Sequence, residues 1–223
     1  MSEIYLIRHG QASYGTSNYD QLSDLGIQQS QWLGEYFRSK ELRPSTLMSG
    51  TLKRHEQTVQ SMLGGLEMQS ETIADSCWNE FDFETLVKLY LNLYPNDMPS
   101  PPSRSAFLSL MRKAIRSWAA EEIKDSSIET WQTFSDRLHA GLEQARNKSG
   151  QGPVIVITSG GSIAMLLRNV LGLDVDRMID LNMQIKNTSI TELYSGSHKA
   201  HLVGFNHMPH LDTEDRQSAI TMM

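Results

Sequence analysis

Two cations and an imidazole carry the chemistry this sequence offers most plainly. Arg8 and His9 close the apolar run Ile4-Tyr5-Leu6-Ile7 and are followed at once by Gly10. A planar guanidinium suits phosphate, and a histidine beside it can serve as base, acid or nucleophile. Ser49 and then Arg54 follow a second short run, and Thr158-Ser159-Gly160-Gly161 follows a third. Where three such runs lie side by side, two guanidiniums, one imidazole and the free amides of a helix N-terminus converge to form an anion pocket. Backbone N–H groups and the helix dipole favour phosphate there, and Gly160 and Gly161 let it approach the backbone. Each feature has a plain alternative: an Arg-His pair solvates a strand end, an arginine near a helix start is a surface residue, and Gly-Gly is a turn. Their coincidence in one pattern is what points to phosphate chemistry.

The elements that must position these residues read as strands alternating with helices, the signature of a parallel sheet covered on both faces. The run at 4–7, ended by glycine, reads as a buried strand with Arg8 and His9 at its carboxyl end, where open α/β sheets bind ligands. A helix is expected over about 23–37, entered through Ser23, with Leu25, Trp32, Leu33 and Phe37 as its apolar face. A strand at 45–50 leads into a helix at about 52–62. The run 153–158 is the central strand, and 159–161 opens a helix at 162–171. Runs at 189–194 and 200–205 complete the sheet. The fold class is therefore α/β, a three-layer α/β/α sandwich around a mostly parallel sheet of about six strands.

Between 77 and about 125 the pattern changes. Pro95, Pro99, Pro101 and Pro102 separate helix-like stretches at 83–94 and 106–122. A mainly helical insertion over the active-site edge of the sheet accounts for this, and such insertions shape substrate access. A helix at about 129–148 returns the chain to the central strand. Residues 1–223 read as a single domain with this helical cap, ending in a polar tail from Asp212 that is expected to be mobile.

With 20 Lys+Arg against 26 Asp+Glu the formal charge is −6, so no global basic field invites nucleic acid or an anionic membrane, and any anion site must be local. No secretory pattern and no membrane-spanning apolar run is visible, and the one cysteine, Cys77, forbids an internal disulfide. A cytoplasmic protein is expected, with Cys77 as a small buried side chain. His198, His201, His207 and His210 form two H-x-x-H pairs. Residues three apart on a strand point to opposite faces, and the second pair spans Pro209, so structural roles are preferred over a metal site. Neither metal nor cofactor is expected, and the oligomeric state is open, a homo-oligomer included.

The chain resembles the histidine phosphatase superfamily, in its phosphoglycerate mutase-like and acid phosphatase-like branch. The residues that carry the resemblance are Arg8-His9-Gly10, Leu22-Ser23-Asp24-Leu25-Gly26 with Gln28 or Gln29, Ser49-Gly50-Thr51-Leu52-Lys53-Arg54 with Gln57-Thr58, and Trp78-Asn79-Glu80-Phe81. Further matches are the stretch from Trp131 to Arg137, the strand, glycine pair and helix from Val154 to Leu167, and Asn187-Thr188-Ser189. The resemblance implies a phosphomonoester hydrolase that acts through a phosphohistidine on a small phosphorylated metabolite. On that basis His9 is the nucleophile, Arg8 and Arg54 hold the equatorial oxygens, Ser159 and Gly160 bind phosphate, and Glu80 protonates the leaving oxygen. Asp82 and Glu84 are near enough in sequence to compete with Glu80 for that role.

At Ser159 the chain departs from the pattern, which expects a second histidine there. A hydroxyl still donates, but it is shorter and carries no charge at neutral pH. Loss of one charged donor costs on the order of 2.7–4 kcal/mol, or 10²–10³ in rate, by analogy with oxyanion holes. Weak activity is one expectation; compensation by His55 is another. Against the second, adjacent helical residues point about 100° apart, so Arg54 and His55 are poorly placed to face the phosphate together. Ser159 as a hydrolase nucleophile fails the G-x-S-x-G elbow, because Ile157 stands where the first glycine belongs. Two alternatives stay open: mutase-like phosphoryl transfer, and a catalytically weakened phosphate-binding or regulatory protein on the same fold. Phosphatase is preferred to mutase because 77–125 lacks a longer, more basic insertion able to grip a bisphosphorylated sugar acid.

Overall fold

The structure, a computed structural model, describes residues 3–13, 20–101 and 103–222. Pro102 of the proline-rich stretch and Met223, the end of the expected tail, lie outside them. Six strands form one sheet: β1 (Glu3–Arg8), β2 (Thr46–Ser49), β3 (Thr72–Ala74), β4 (Val154–Thr158), β5 (Ile190–Ser195) and β6 (Ala200–His207), in the order β3-β2-β4-β1-β5-β6. The first four run parallel, and β5 and β6 add an antiparallel edge. Strand β4, Val-Ile-Val-Ile-Thr, is buried along its whole length, as a central parallel strand covered on both faces must be.

Helices α1 (Asp24–Ser39) and α2 (Lys53–Leu66) cover one face, where Leu33, Phe37, Val59 and Met62 pack against Ile7, Leu47, Ile155 and Ile157. The other face meets α3 (Phe83–Leu93), α4 (Arg104–Ala119), α5 (Trp131–Lys148), α6 (Gly160–Leu171) and α7 (Val175–Asn182). Leu6, Met48 and Val156 point that way, against Trp118, Phe134, Leu138 and Ile163. Alternate residues of each strand thus feed two cores, which is the pleat at work. Among the described residues no helix is long and apolar enough to cross a membrane.

Four expectations need correction. The buried face of α1 is Gly26, Gln29, Ser30, Leu33, Gly34 and Phe37; Leu25 and Trp32 are half-buried, and Arg216 stacks 4.8 Å from the Trp32 ring. Helix α6 begins at Gly160, two residues earlier than expected, because Ser159 already adopts the extended conformation of a cap. Cys77 lies in a surface 3₁₀ turn (Ser76–Trp78) and is only half-buried; burial, with Asp75 beside it, pushes its thiol up to about 12. The C-terminal segment is not loose. Buried Gln29 donates from Nε2 to Ala219 O (2.6 Å) and Thr221 Oγ1 (3.0 Å), and Asn187 N donates to Thr221 O at 2.9 Å. A buried amide demands such partners.

Candidate active site

Strand register brings the three chemistry-bearing ends to one level. Arg8 pairs with Thr158 and Ser49 with Ile157. His9 N donates to Thr158 O at 2.9 Å and Gly50 N to Ile157 O at 3.0 Å, carrying the ladders one residue past the strands. From the β5 side, Asn187 Nδ2 donates to His9 O at 3.1 Å and Thr188 N to Arg8 O at 3.0 Å. Thr188 holds a left-handed φ of 55°, and its hydroxyl is bonded to buried His210 Nε2 at 2.9 Å. The His9 backbone is therefore fixed from both neighbouring strands.

His9 is buried, and its Nδ1 lies 2.7 Å from Gly10 O. A carbonyl only accepts, so Nδ1 carries the proton and Nε2 keeps its lone pair. Burial lowers the His9 pKa well below the ordinary value, and Arg54, Arg8 and His55 lower it further. A neutral imidazole whose Nε2 keeps its lone pair, within the electrostatic reach of Arg8 and Arg54, is equipped to attack an electrophile that an anion-binding pair would hold.

Both arginines are buried. Arg54, in the first turn of α2, reaches Asp20 Oδ1 with Nη1 at 2.7 Å, and Asp20 Oδ2 accepts Lys53 N at 3.0 Å. Arg8 Nη1 donates to Ile185 O and Met222 O, each at 2.5 Å, so the end of the chain holds one arm of the clamp. Gly160 lies against this side chain, where a Cβ would come 3.7 Å from Arg8 Nε.

Glu80 follows the 3₁₀ turn after β3. Arg137 fastens that turn: Nη1 donates to Asn79 O (2.7 Å) and Cys77 O (2.8 Å), while Nε and Nη2 engage Glu129. Asn79 Oδ1 accepts Thr51 N at 2.7 Å, tying the turn to the start of α2. Glu80 Oε2 accepts Gly161 N at 2.9 Å, and a Cβ on Gly161 would stand 2.4 Å from Oε1. The close approach at Gly161 thus serves the carboxylate, and this amide is not free for phosphate as the sequence suggests. Burial raises the Glu80 pKa, opposed by the Gly161 amide, Arg54 and Arg8. That favours a carboxylic acid able to give a proton. Asp82 is occupied as the N-cap of α3, accepting Thr85 N at 3.0 Å, and Glu84 lies in the first turn of that helix.

Ser159 and His55 are both fully buried, and His55 Nε2 is 2.8 Å from Ser159 Oγ. The His55 ring lies 5.6 Å from that of His9, tilted 38°. Arg54 and His55 diverge, one toward Asp20 and the other toward Ser159, yet both flank His9. Sequence reasoning left out Arg137, Asn79, Asn187 and Thr188 as supports, and nothing in their residue types marks them apart from their place inside the quoted motifs. Of the H-x-x-H histidines, His198, His201 and His207 are exposed and His210 packs on Thr188. Among the described residues no group of three or more His, Cys, Asp or Glu is arranged to hold a metal ion.

A mostly parallel sheet around whose strand ends a histidine, two arginines and a carboxyl group gather has the make-up of a phosphoryl-handling α/β protein. Residues 4–208 match the family model of the histidine phosphatase superfamily (branch 1), and the chain belongs to that superfamily, whose typical chemistry passes through a phosphohistidine. The "probable phosphoglycerate mutase GpmB" of Shigella dysenteriae serotype 1 is 22% identical over 205 residues, covering 86% of this chain and 85% of that protein. Among solved structures, the mycobacterial glucosyl-3-phosphoglycerate phosphatase superposes with a TM-score of 0.64 at 22% identity, covering 92% of this chain and 99% of that one. The Entamoeba histolytica phosphoserine phosphatase, solved with 3-phosphoglyceric acid, gives a TM-score of 0.65 at 17% identity, covering 95% and 100%. These two likenesses establish the fold.

Proposed function

We propose that the protein is a phosphomonoester hydrolase that takes a phosphoryl group from a small phosphorylated metabolite onto His9. The observation that carries this is the His9 tautomer, with Nδ1 bonded to Gly10 O and Nε2 bare beside Arg8 and Arg54. The Nε2 lone pair forms the N–P bond as the P–O bond to the leaving group breaks, and the Glu80 proton passes to the leaving oxygen. Arg8 and Arg54 hold the equatorial oxygens, with Ser159 and Gly160 lining the same side. Water then attacks phosphorus and gives a proton to the Glu80 carboxylate. The N–P bond breaks, its electron pair returns to Nε2, and inorganic phosphate leaves.

Hydrolysis is favoured over transfer to a second acceptor by the insertion at 77–125, which forms the cap of a single domain. Of its six cations, three on α4, Arg112, Lys113 and Arg116, are paired with Asp180, Asp97 and Asp176, so half of its positive charge is engaged within the protein rather than offered to a second phosphate. The half-buried free thiol Cys77 suits a reducing, cytoplasmic compartment.

Incubation with a panel of phosphomonoesters, with trapping of label on His9, tests the reading. Turnover with a labelled His9 is expected, and undiminished turnover by His9→Ala overturns it. Discharge to an added acceptor faster than to water supports the mutase-like alternative. Phosphate binding without any turnover supports the weakened binding protein.

A further inference from the structure

The His55–Ser159 pair has features that core packing does not explain. A serine at a helix N-cap ordinarily accepts an amide of the first turn. Ser159 does not: its side chain makes no capping bond to α6, and its one hydrogen-bond partner among the described residues is His55 Nε2 at 2.8 Å. On the other edge of the ring, His55 Nδ1 is buried without a partner among the described residues. It fills the space left by Gly50, where a Cβ would come 2.2 Å from it.

These contacts fix the protons. Burial, and then Arg54, lower the His55 pKa well below its ordinary value, so the ring is neutral and has a single N–H. On Nδ1 that proton would be an orphaned buried donor, which folded proteins avoid more strictly than an unfilled acceptor. The proton therefore belongs on Nε2, donated to Ser159 Oγ, and the serine hydroxyl keeps its own proton to give elsewhere. Ser159 follows Thr158, the strand residue paired with Arg8, and the His55 ring is 5.6 Å from the His9 ring.

We propose that Ser159 is a hydrogen-bond donor to the phosphoryl group received by His9, and that His55 is the positioning residue that aims it by donating to Ser159 Oγ. The pair supplies a neutral, pre-oriented donor alongside the two arginines. Because the donor's oxygen is held by a buried ring, it needs no reorientation when charge spreads over the equatorial oxygens. This inference rests on the phosphohistidine reading above.

The test is a single-turnover measurement of phosphohistidine formation in wild type, Ser159→Ala, His55→Leu, His55→Gln and the double variant Ser159→Ala/His55→Leu. Ser159→Ala and His55→Leu are each expected to slow formation by about 10²-fold, with the double variant no slower than either single one, because the residues act as a unit. His55→Gln, whose amide still donates, is expected to stay within about tenfold of wild type. Losses that multiply in the double variant, or a Ser159→Ala rate within threefold of wild type, overturn the proposal. Ser159→Ala removes one atom and keeps the test valid should His55→Leu fail to fold. A wild type that forms no phosphohistidine overturns the parent reading instead, so the two failures are distinct.

Discussion

Glu80 Oε2 accepts the Gly161 amide at 2.9 Å, so a carboxyl group delivered by the turn after β3 is docked on the first turn of α6, the helix that begins beside His9. The helix N-terminus orients the carboxyl group while its pKa stays raised, since burial outweighs the amide and the two arginines.

Gly161→Ala forces a Cβ to within 2.4 Å of Glu80 Oε1 unless the carboxylate moves. A displacement on the order of 1 Å costs about 10²-fold when it misplaces a reacting group. The variant is expected to lose about that factor in kcat on alkyl phosphates and much less on p-nitrophenyl phosphate, whose leaving group needs no proton. Equal losses on both substrates would contradict the docking role.

Glu80→Gln removes the proton but keeps the shape. In wild type, activity on alkyl phosphates falls as pH rises through the elevated Glu80 pKa, while His9, whose pKa is lowered, stays nucleophilic below pH 6.5. The wild-type optimum therefore lies on the acid side of the raised Glu80 pKa. The variant is expected to be about 10²–10⁴-fold slower on alkyl phosphates and to lack the basic limb, as pH–rate profiles on both proteins would reveal.

Strand ends were legible because chemistry followed directly on apolar runs: Arg8 and His9 after 4–7, and Ser159 after the run at 153–158. The short edge strand β3 was not, since Thr72–Ala74 has one partner strand and two exposed residues, leaving no hydrophobic run to read. Helix α7 was missed for a similar reason, burying only Met178 and Ile179. The tail was misread because its polar composition suggests solvent. Its backbone carbonyls, invisible to composition, instead bind Gln29 and Arg8. The partner of Ser159 is a long-range fact, since 104 residues separate it from His55.

Arg137→Lys keeps the charge but not the fork that serves Glu129 and two carbonyls at once. Loss of these bonds should destabilise the protein by about 2–3 kcal/mol and loosen the turn before Glu80. A fall in kcat exceeding any rise in KM is expected, because Arg8 and Arg54 are untouched. A KM effect alone would place Arg137 in substrate binding instead.

Deletion of residues 219–223 strips partners from Gln29 Nε2, Asn187 N and Arg8 Nη1. Each buried group left unsatisfied costs about 1–3 kcal/mol, so the melting temperature should drop. Freed from Met222, Arg8 loses one of its carbonyl anchors, and inhibition by inorganic phosphate should weaken. Unchanged melting and phosphate affinity would show that the segment does not brace the site.

Acid lability provides a separate readout of the buried imidazoles. His9, His55 and His210 all have lowered pKa values, His210 to about 3. Above the unfolded value of about 6.5 neither state binds a proton at these groups, so they impose no pH dependence. As pH falls below it, the unfolded chain takes up protons that the folded protein refuses. Stability then declines until the folded pKa is reached, by up to about 1.4 kcal/mol per pH unit for each histidine. For His210 that window runs from about 6.5 to about 3. His210→Gln retains a side-chain partner for Thr188 but does not titrate, so urea unfolding between pH 6 and pH 4 should show a slope shallower by close to one proton. Parallel slopes for the two proteins would mean that His210 is charged in the fold, contrary to its burial and its contact with Thr188.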